Sequence, residues 1–70
     1  MERTRVSSSN LHSIGYDPSS NILEIAFLSG GVYQYSGVNQ DIYFGLMNAA
    51  SHGKYFHAHI KDIYPFRKVG

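Results

Sequence analysis

Ile14 and Tyr16, then Leu23, Ile25 and Phe27, then Tyr33 and Tyr35 recur at every second position, and beyond Val38 the apolar spacing lengthens to three and four. The first period belongs to half-buried strands, the second to amphipathic helices. Leu11 to Tyr16 forms a first strand with Ile14 and Tyr16 on one face. Asp17-Pro18-Ser19-Ser20-Asn21 is a turn, because proline presets φ and the flanking Asp and Asn bond their own backbone. Ile22 to Leu28 is the strongest strand: Leu23, Ile25 and Phe27 share one face, while Ile22, Glu24, Ala26 and Leu28 share the other. A third strand lies in Gly30 to Gly37, entered through a tight glycine turn and carrying Tyr33 and Tyr35 on one face.

The turn decides which face that is. A two-residue turn pairs odd positions with even ones and sets Tyr33 and Tyr35 beside Glu24 and Ala26. A three-residue loop, Ser29-Gly30-Gly31, pairs Phe27 with Tyr33 and Ile25 with Tyr35. A slip of one residue exchanges the faces. The first arrangement turns Gln34 and Ser36 into the core, where their polar groups need partners, so the three-residue loop is the favoured register.

Asn39 caps a helix that runs to about Ser51, with Asp41 in its first turn. Ile42, Leu46 and Ala50 form its apolar stripe, flanked by Tyr43, Met47 and Ala49. Gly45 interrupts this helix at a cost of roughly 1 kcal/mol against alanine, which implies close approach by a neighbour. Phe44 falls off the stripe and is either covered by the chain ends or exposed. Gly53 suits the end of the helix, and a second helix follows from about Lys54 to Ile63, with Phe56, Ile60 and Ile63 on its apolar side. Phe66-Arg67-Lys68-Val69 is an extended tail able to pair as an edge strand. The expected architecture is an α+β domain: a three-stranded antiparallel β-meander followed by two helices packed on one sheet face, with an extended C-terminal tail. It occupies residues 6–69, and residues 1–5 form a flexible N-terminus.

Composition narrows the function. Seventy residues make one small domain with a marginal core. The chain has no cysteine, which excludes disulfides and cysteine-type zinc sites. Met1 to Val6 leads into serines rather than an apolar run, and no segment approaches the ~18 apolar residues of a membrane span, so a cytoplasmic location is expected. His52, His57 and His59 do not share a ligand spacing, and no HExxH motif is present; no metal and no other cofactor is expected. No serine sits in a GxSxG elbow, the five carboxylates are scattered, and Gly30-Gly31 lacks the pattern that cradles phosphate. The chain is therefore not expected to be an enzyme.

The net charge of +1 is too small to argue for nucleic acid by itself, but its distribution is uneven. Arg3 and Arg5 lie at one end, and Lys54, Lys61, Arg67 and Lys68 at the other, with no Lys or Arg between residues 6 and 53. The second group is interleaved with Tyr55, Tyr64 and Phe66. Basic side chains contact phosphates and aromatic faces stack on bases, as in binders of single-stranded RNA. The candidate nucleic-acid-binding residues are Lys54, Tyr55, His57, Lys61, Arg67 and Lys68, with Tyr33 and Tyr35 as stacking candidates. The bland alternative is that the aromatics seal the core and the charges keep the domain soluble.

Ser8-Ser9, Ile14-Gly15-Tyr16-Asp17, Leu23-Glu24-Ile25 with Phe27, and Tyr33-Gln34-Tyr35 together resemble the KTSC family. The resemblance continues through Val38, Ser51-x-Gly53-x-Tyr55-Phe56, Ile60 and Tyr64-Pro65-x-Arg67. Asn39 and His57 depart from it, standing where proline and asparagine are usual. That family is named for a domain at the C-terminus of some lysyl-tRNA synthetases and also occurs as small bacterial and phage proteins. The resemblance implies a non-catalytic accessory module with RNA as a partner. The alternative is a protein-interaction or homo-oligomerising module that uses an exposed sheet face or edge.

Overall fold

The computed structural model describes all of residues 1–70. Five strands form one antiparallel meander in the order β1 (Thr4–Arg5), β2 (Leu11–Asp17), β3 (Ile22–Phe27), β4 (Val32–Tyr35) and β5 (Phe66–Lys68). Helices α1 (Gln40–Asn48) and α2 (His52–His59) lie between β4 and β5 in the chain. The α+β architecture is as expected, but the sheet has five strands rather than three. The two extra strands are the edges. The tail at Phe66–Lys68 pairs with β4, and Thr4–Arg5, expected from the sequence to belong to a flexible N-terminus, pairs with Ile14 and Ser13 of β2. Two- and three-residue strands are too short to show a period.

Strand alternation explains the core. Leu11, Ile14, Leu23, Ile25 and Tyr35 of the sheet meet Val38, Leu46, Phe56 and Ile60 in one buried cluster. Leu11 and Ile14 are three apart and would face opposite ways on a regular strand. The pairing of β2 with β3 is irregular between Leu11 and Ser13, and this bulge returns Leu11 to the helix side. In the β3–β4 hairpin Leu23 pairs with Tyr35 and Ile25 with Tyr33. The tyrosines thus take the face expected of them, but the register is two residues from the one anticipated. The loop is Leu28-Ser29-Gly30, closed by the Gly30 amide donating to the Phe27 carbonyl at 3.0 Å and the Phe27 amide donating to the Gly31 carbonyl at 3.1 Å. Gly30 and Gly31 have φ of 106° and 89°, the left-handed region in which a side chain is strained.

The helices depart from expectation at their junction. The first ends at Asn48, and Ser51 caps the second, its Oγ accepting from the Lys54 amide at 3.2 Å. Gly53, expected at a helix end, is buried inside α2, and Ile63 is 58% exposed because the helix has already stopped at His59. The serine capping preference won over the glycine stop signal. His52 Nδ1 donates to the Leu46 carbonyl at 2.8 Å, which also accepts the Ala49 amide at 3.4 Å at the end of α1. Asn39 caps α1 as expected, its side chain accepting from the Ile42 amide. Gly45 faces Tyr55: a Cβ at this position would fall on the tyrosine hydroxyl and ring. Phe44 is 49% exposed.

The other sheet face is polar. Gly15, Glu24, Gln34 and Arg67 form one row across β2 to β5. Glu24 is buried there and accepts from Arg3 Nη1 at 2.5 Å and from Gln34 Nε2 at 2.9 Å. Arg3 Nε also donates to Ser13 Oγ at 3.1 Å. The segment bearing Arg3 crosses over Gly15, where any Cβ would strike the Glu2 carbonyl. Burial works to raise the Glu24 pKa, but the hydrogen bonds from Gln34 and Arg3, together with the Arg3 and amino-terminal charges, hold it below the ordinary value. No helix is long and apolar enough to cross a membrane.

Two outcomes follow from these contacts. Gly45→Ala normally gains roughly 1 kcal/mol of helix propensity, but here it costs about 1–3 kcal/mol by overpacking against Tyr55; a raised urea midpoint would reject the close approach. Glu24, with a folded pKa below its unfolded one, contributes stability that is present above about pH 5 and lost as pH falls through the folded value. Arg3→Ala should cost about 1 kcal/mol at pH 7, because the Arg3 side chain remains 33% exposed and is screened. It should also shrink the loss of stability between neutral and acid pH, measured as the shift in urea midpoint. An unchanged acid response would place the titration elsewhere.

Candidate nucleic-acid interface

The helix-side face does not close over the end of the sheet formed by β3, β4 and β5. A cleft of about 510 Å³ remains there, bounded by α2 and the turn after it. Five rings line it: Phe27, Tyr33, Tyr35, Phe56 and Phe66. Each touches at least one other. Phe27 meets Tyr33 and Phe56 edge-on at centroid distances of 5.6 and 5.4 Å, and Tyr35 meets Phe56 edge-on at 5.6 Å. Phe66 leans on Tyr33 and Tyr35 at 5.8 and 5.6 Å. Edge-to-face contacts of this kind are favourable beyond their buried area. They hold a set of aromatic surfaces whose depth varies: Tyr35 and Phe56 are each 5% exposed, whereas Phe66 at the mouth is 57% exposed.

The rim is polar. His57 and Lys61 stand on the α2 side with Asp62, and Ser9, Asn10 and Ser29 on the sheet side. A second, shallower depression of about 480 Å³ adjoins the first, sharing Ser9, Asn10 and His57 and adding Ser51 and Lys54. Burial, with smaller contributions from the Tyr33 and Asp62 charges, pushes the Tyr35 hydroxyl up to about 12, so it remains a neutral donor.

The structure divides the residues proposed from sequence. Tyr33, Tyr35, His57 and Lys61 line the cleft, and Lys54 lies in the adjoining depression. Lys68 pairs with Tyr33 on the same sheet face, whereas Arg67 pairs with Gln34 on the opposite one. Consecutive residues of a strand cannot share a face, so Arg67 leaves the candidate interface. Tyr55 also leaves it, because its ring fills the space above Gly45 and packs on His59 at 4.4 Å. The stacking role expected of Tyr35 is confined to the floor by its burial. Phe27 and Phe56 were read from sequence as core residues only; the signal that they border an opening is tertiary. Of the four histidines, His12 lies 3.0 Å from the Ser13 hydroxyl, and His57 packs edge-on to Phe56. No three His, Asp or Glu side chains converge as a metal site.

The family model of the KTSC domain matches residues 7–64. The chain is similar to an uncharacterised protein of Stutzerimonas stutzeri, 43% identical over 56 residues, covering 80% of this chain and 79% of that one. It is also similar to a lysine–tRNA ligase of Nostoc, 35% identical over 54 residues, which are 77% of this chain but 10% of the ligase. The crystal structure of a KTSC domain protein from Yersinia pestis superposes with a TM-score of 0.97 at 45% identity, covering 99% of this chain and 97% of that one.

The different depths of the tyrosines have a measurable consequence. Tyr35→Ala should destabilise by about 3–5 kcal/mol, as for other fully buried aromatics. Tyr33, only partly buried against the core, should cost less when truncated. Equal losses in denaturant melts would mean that the two rings share one environment. By its sequence and its fold, the chain belongs to the KTSC domain family.

Proposed function

We propose that this domain is a non-catalytic accessory module that binds single-stranded RNA, with the aromatic cleft taking an unstacked base and lysines around it meeting the phosphates. The observation that carries this reading is the juxtaposition of five mutually packed rings with a rim bearing His57 and Lys61. Aromatic faces contribute roughly 1–3 kcal/mol per stacked base, and cations beside them track the backbone. Lys54 in the adjoining depression and Lys68 opposite Tyr33 extend the positive charge to either side. A lysine–tRNA ligase that carries a similar segment in a tenth of its length is consistent with service beside an RNA.

A second reading, a protein-interaction module, draws support from the exposed apolar side chains around the cleft. Leu28 and Phe66 line it and are 51% and 57% exposed. The edge strand β5 lies at the same end of the sheet. This contact would be apolar and nearly independent of salt.

Titration of labelled single-stranded RNA at several salt concentrations separates the two. With Lys54, Lys61 and Lys68 on phosphates, log K should fall against log salt with a slope of about −2, at roughly 0.7 per contact. Replacing Lys54 and Lys61 by alanine should reduce its magnitude by about 1.4, whereas Arg67→Ala, on the opposite face, should leave it unchanged. Absence of binding at low salt, or a double variant that binds like the parent, would sink the RNA reading.

A further inference from the structure

Among the polar groups around the cleft, Asp62 is out of place in a site for a polyanion. Asp62 lines the cleft beside Lys61 without an ion-pair partner, the chain's one ion pair being Arg3–Glu24. The backbone at Asp62 is left-handed, with φ of 63°, at the turn that follows α2. The Lys61 and Ile63 amides donate to the Phe56 and Ile60 carbonyls at 2.8 and 3.1 Å, which fixes the chain on both sides of it. Asp62 lines the same cleft as the five rings, at its exposed rim. An ionised carboxylate only accepts hydrogen bonds and repels phosphate, so whatever meets it presents donors and carries no negative charge.

Resting on the RNA reading above, we propose that the cleft selects guanine, with the two Asp62 oxygens accepting from the ring N1–H and the exocyclic N2 amine. Guanine alone among the four bases presents two adjacent donors on its pairing edge, the same spacing that lets a carboxylate engage a planar guanidinium through two parallel bonds. Adenine and cytosine each offer one amine beside a ring nitrogen lone pair, and uracil offers one N–H flanked by carbonyls. All three would turn an acceptor toward the carboxylate. The cleft has room for a bicyclic base, and the exposed ring of Phe66 at its mouth provides a face on which that base stacks.

The experiment uses the full chain and uridine strands of about twelve nucleotides, each with a central G, A, C, U or inosine. Affinities are read by fluorescence anisotropy at low salt. The G strand should bind roughly tenfold more tightly than the A, C and U strands, and the inosine strand, which keeps N1–H but lacks the amine, should fall between. Asp62→Asn should bring the four standard strands together: the G strand loses its advantage, while the A, C and U strands gain from the loss of negative charge. Asparagine tolerates the left-handed backbone well, and Asp62→Gly provides a second variant that does so freely. Salt-dependent binding of equal strength by all strands would overturn guanine selection and leave the RNA reading standing. A guanine preference that survives in both variants would remove Asp62 from the role. No binding by any strand would overturn both proposals.

Discussion

The hairpin joining β3 to β4 is the constraint on which the rest of this domain depends. A strand has two faces and a period of two, so the length of one turn decides whether Tyr33 and Tyr35 look toward the helices or away from them. Three residues, Leu28-Ser29-Gly30, with left-handed glycines at the turn, send them toward the helices. Gln34 is thereby delivered to the other face, where it donates to buried Glu24. Had the turn been one residue shorter, the aromatic cluster would have lost two rings and Glu24 one of its two donors. The two faces are therefore settled together: one register satisfies the buried carboxylate and builds the cleft.

Each face is then closed by a close approach across a glycine. On the helix side Gly45 lets the Tyr55 ring lie between α1 and α2, which brings the helices near enough for Leu46, Phe56 and Ile60 to share one cluster. On the polar side Gly15 admits the amino-terminal segment over the sheet, so that Arg3 reaches Glu24 from above. A buried carboxylate without partners would be costly; with Arg3 and Gln34 bonded it becomes a clasp that holds β1 to the sheet. The short edge strand is explained less by its two backbone pairings than by this side-chain anchor.

What was legible in the sequence follows from which signals are local. The period of two in residues 11–35 and the glycine turn gave the central strands and the face of the tyrosines, and the misfit of Gly45 foretold a neighbour pressed against the helix. Of the edge strands, the tail at Phe66–Lys68 was legible as a segment able to pair at an edge, and it pairs with β4, whereas Thr4–Arg5 is too short to carry a pattern. The helix junction misled because Ser51 and Gly53 carry competing signals, a start and a stop, and only the serine is used at its face value. The candidate site was half legible. Tyr33, His57 and Lys61, named separately from the sequence, line one cleft, but linear clustering of charge placed Arg67 with Lys68, and strand alternation separates them. Asp62 carries no signal in the sequence, because a lone carboxylate after a helix acquires meaning only from the cleft it lines.

A domain of this size cannot keep its core and its binding surface apart. Tyr35 and Phe56 belong to the buried cluster and also form the floor of the cleft, so the surface offered to a ligand is the outer side of the same rings that hold sheet to helix. Truncating either ring removes packing before it removes a contact, and a loss of binding in such a variant says nothing specific about the ligand. The rim is different. Lys54, Lys61 and Asp62 are exposed and outside the buried cluster, so changes there leave folding within about 0.5 kcal/mol. Chemistry at this site is therefore readable only at its rim, where Lys61 and Asp62 put opposite charges side by side: one fits a backbone of phosphates, the other a base edge that donates. In the RNA reading proposed above both charges have a use, whereas a partner held by apolar contact alone would engage neither.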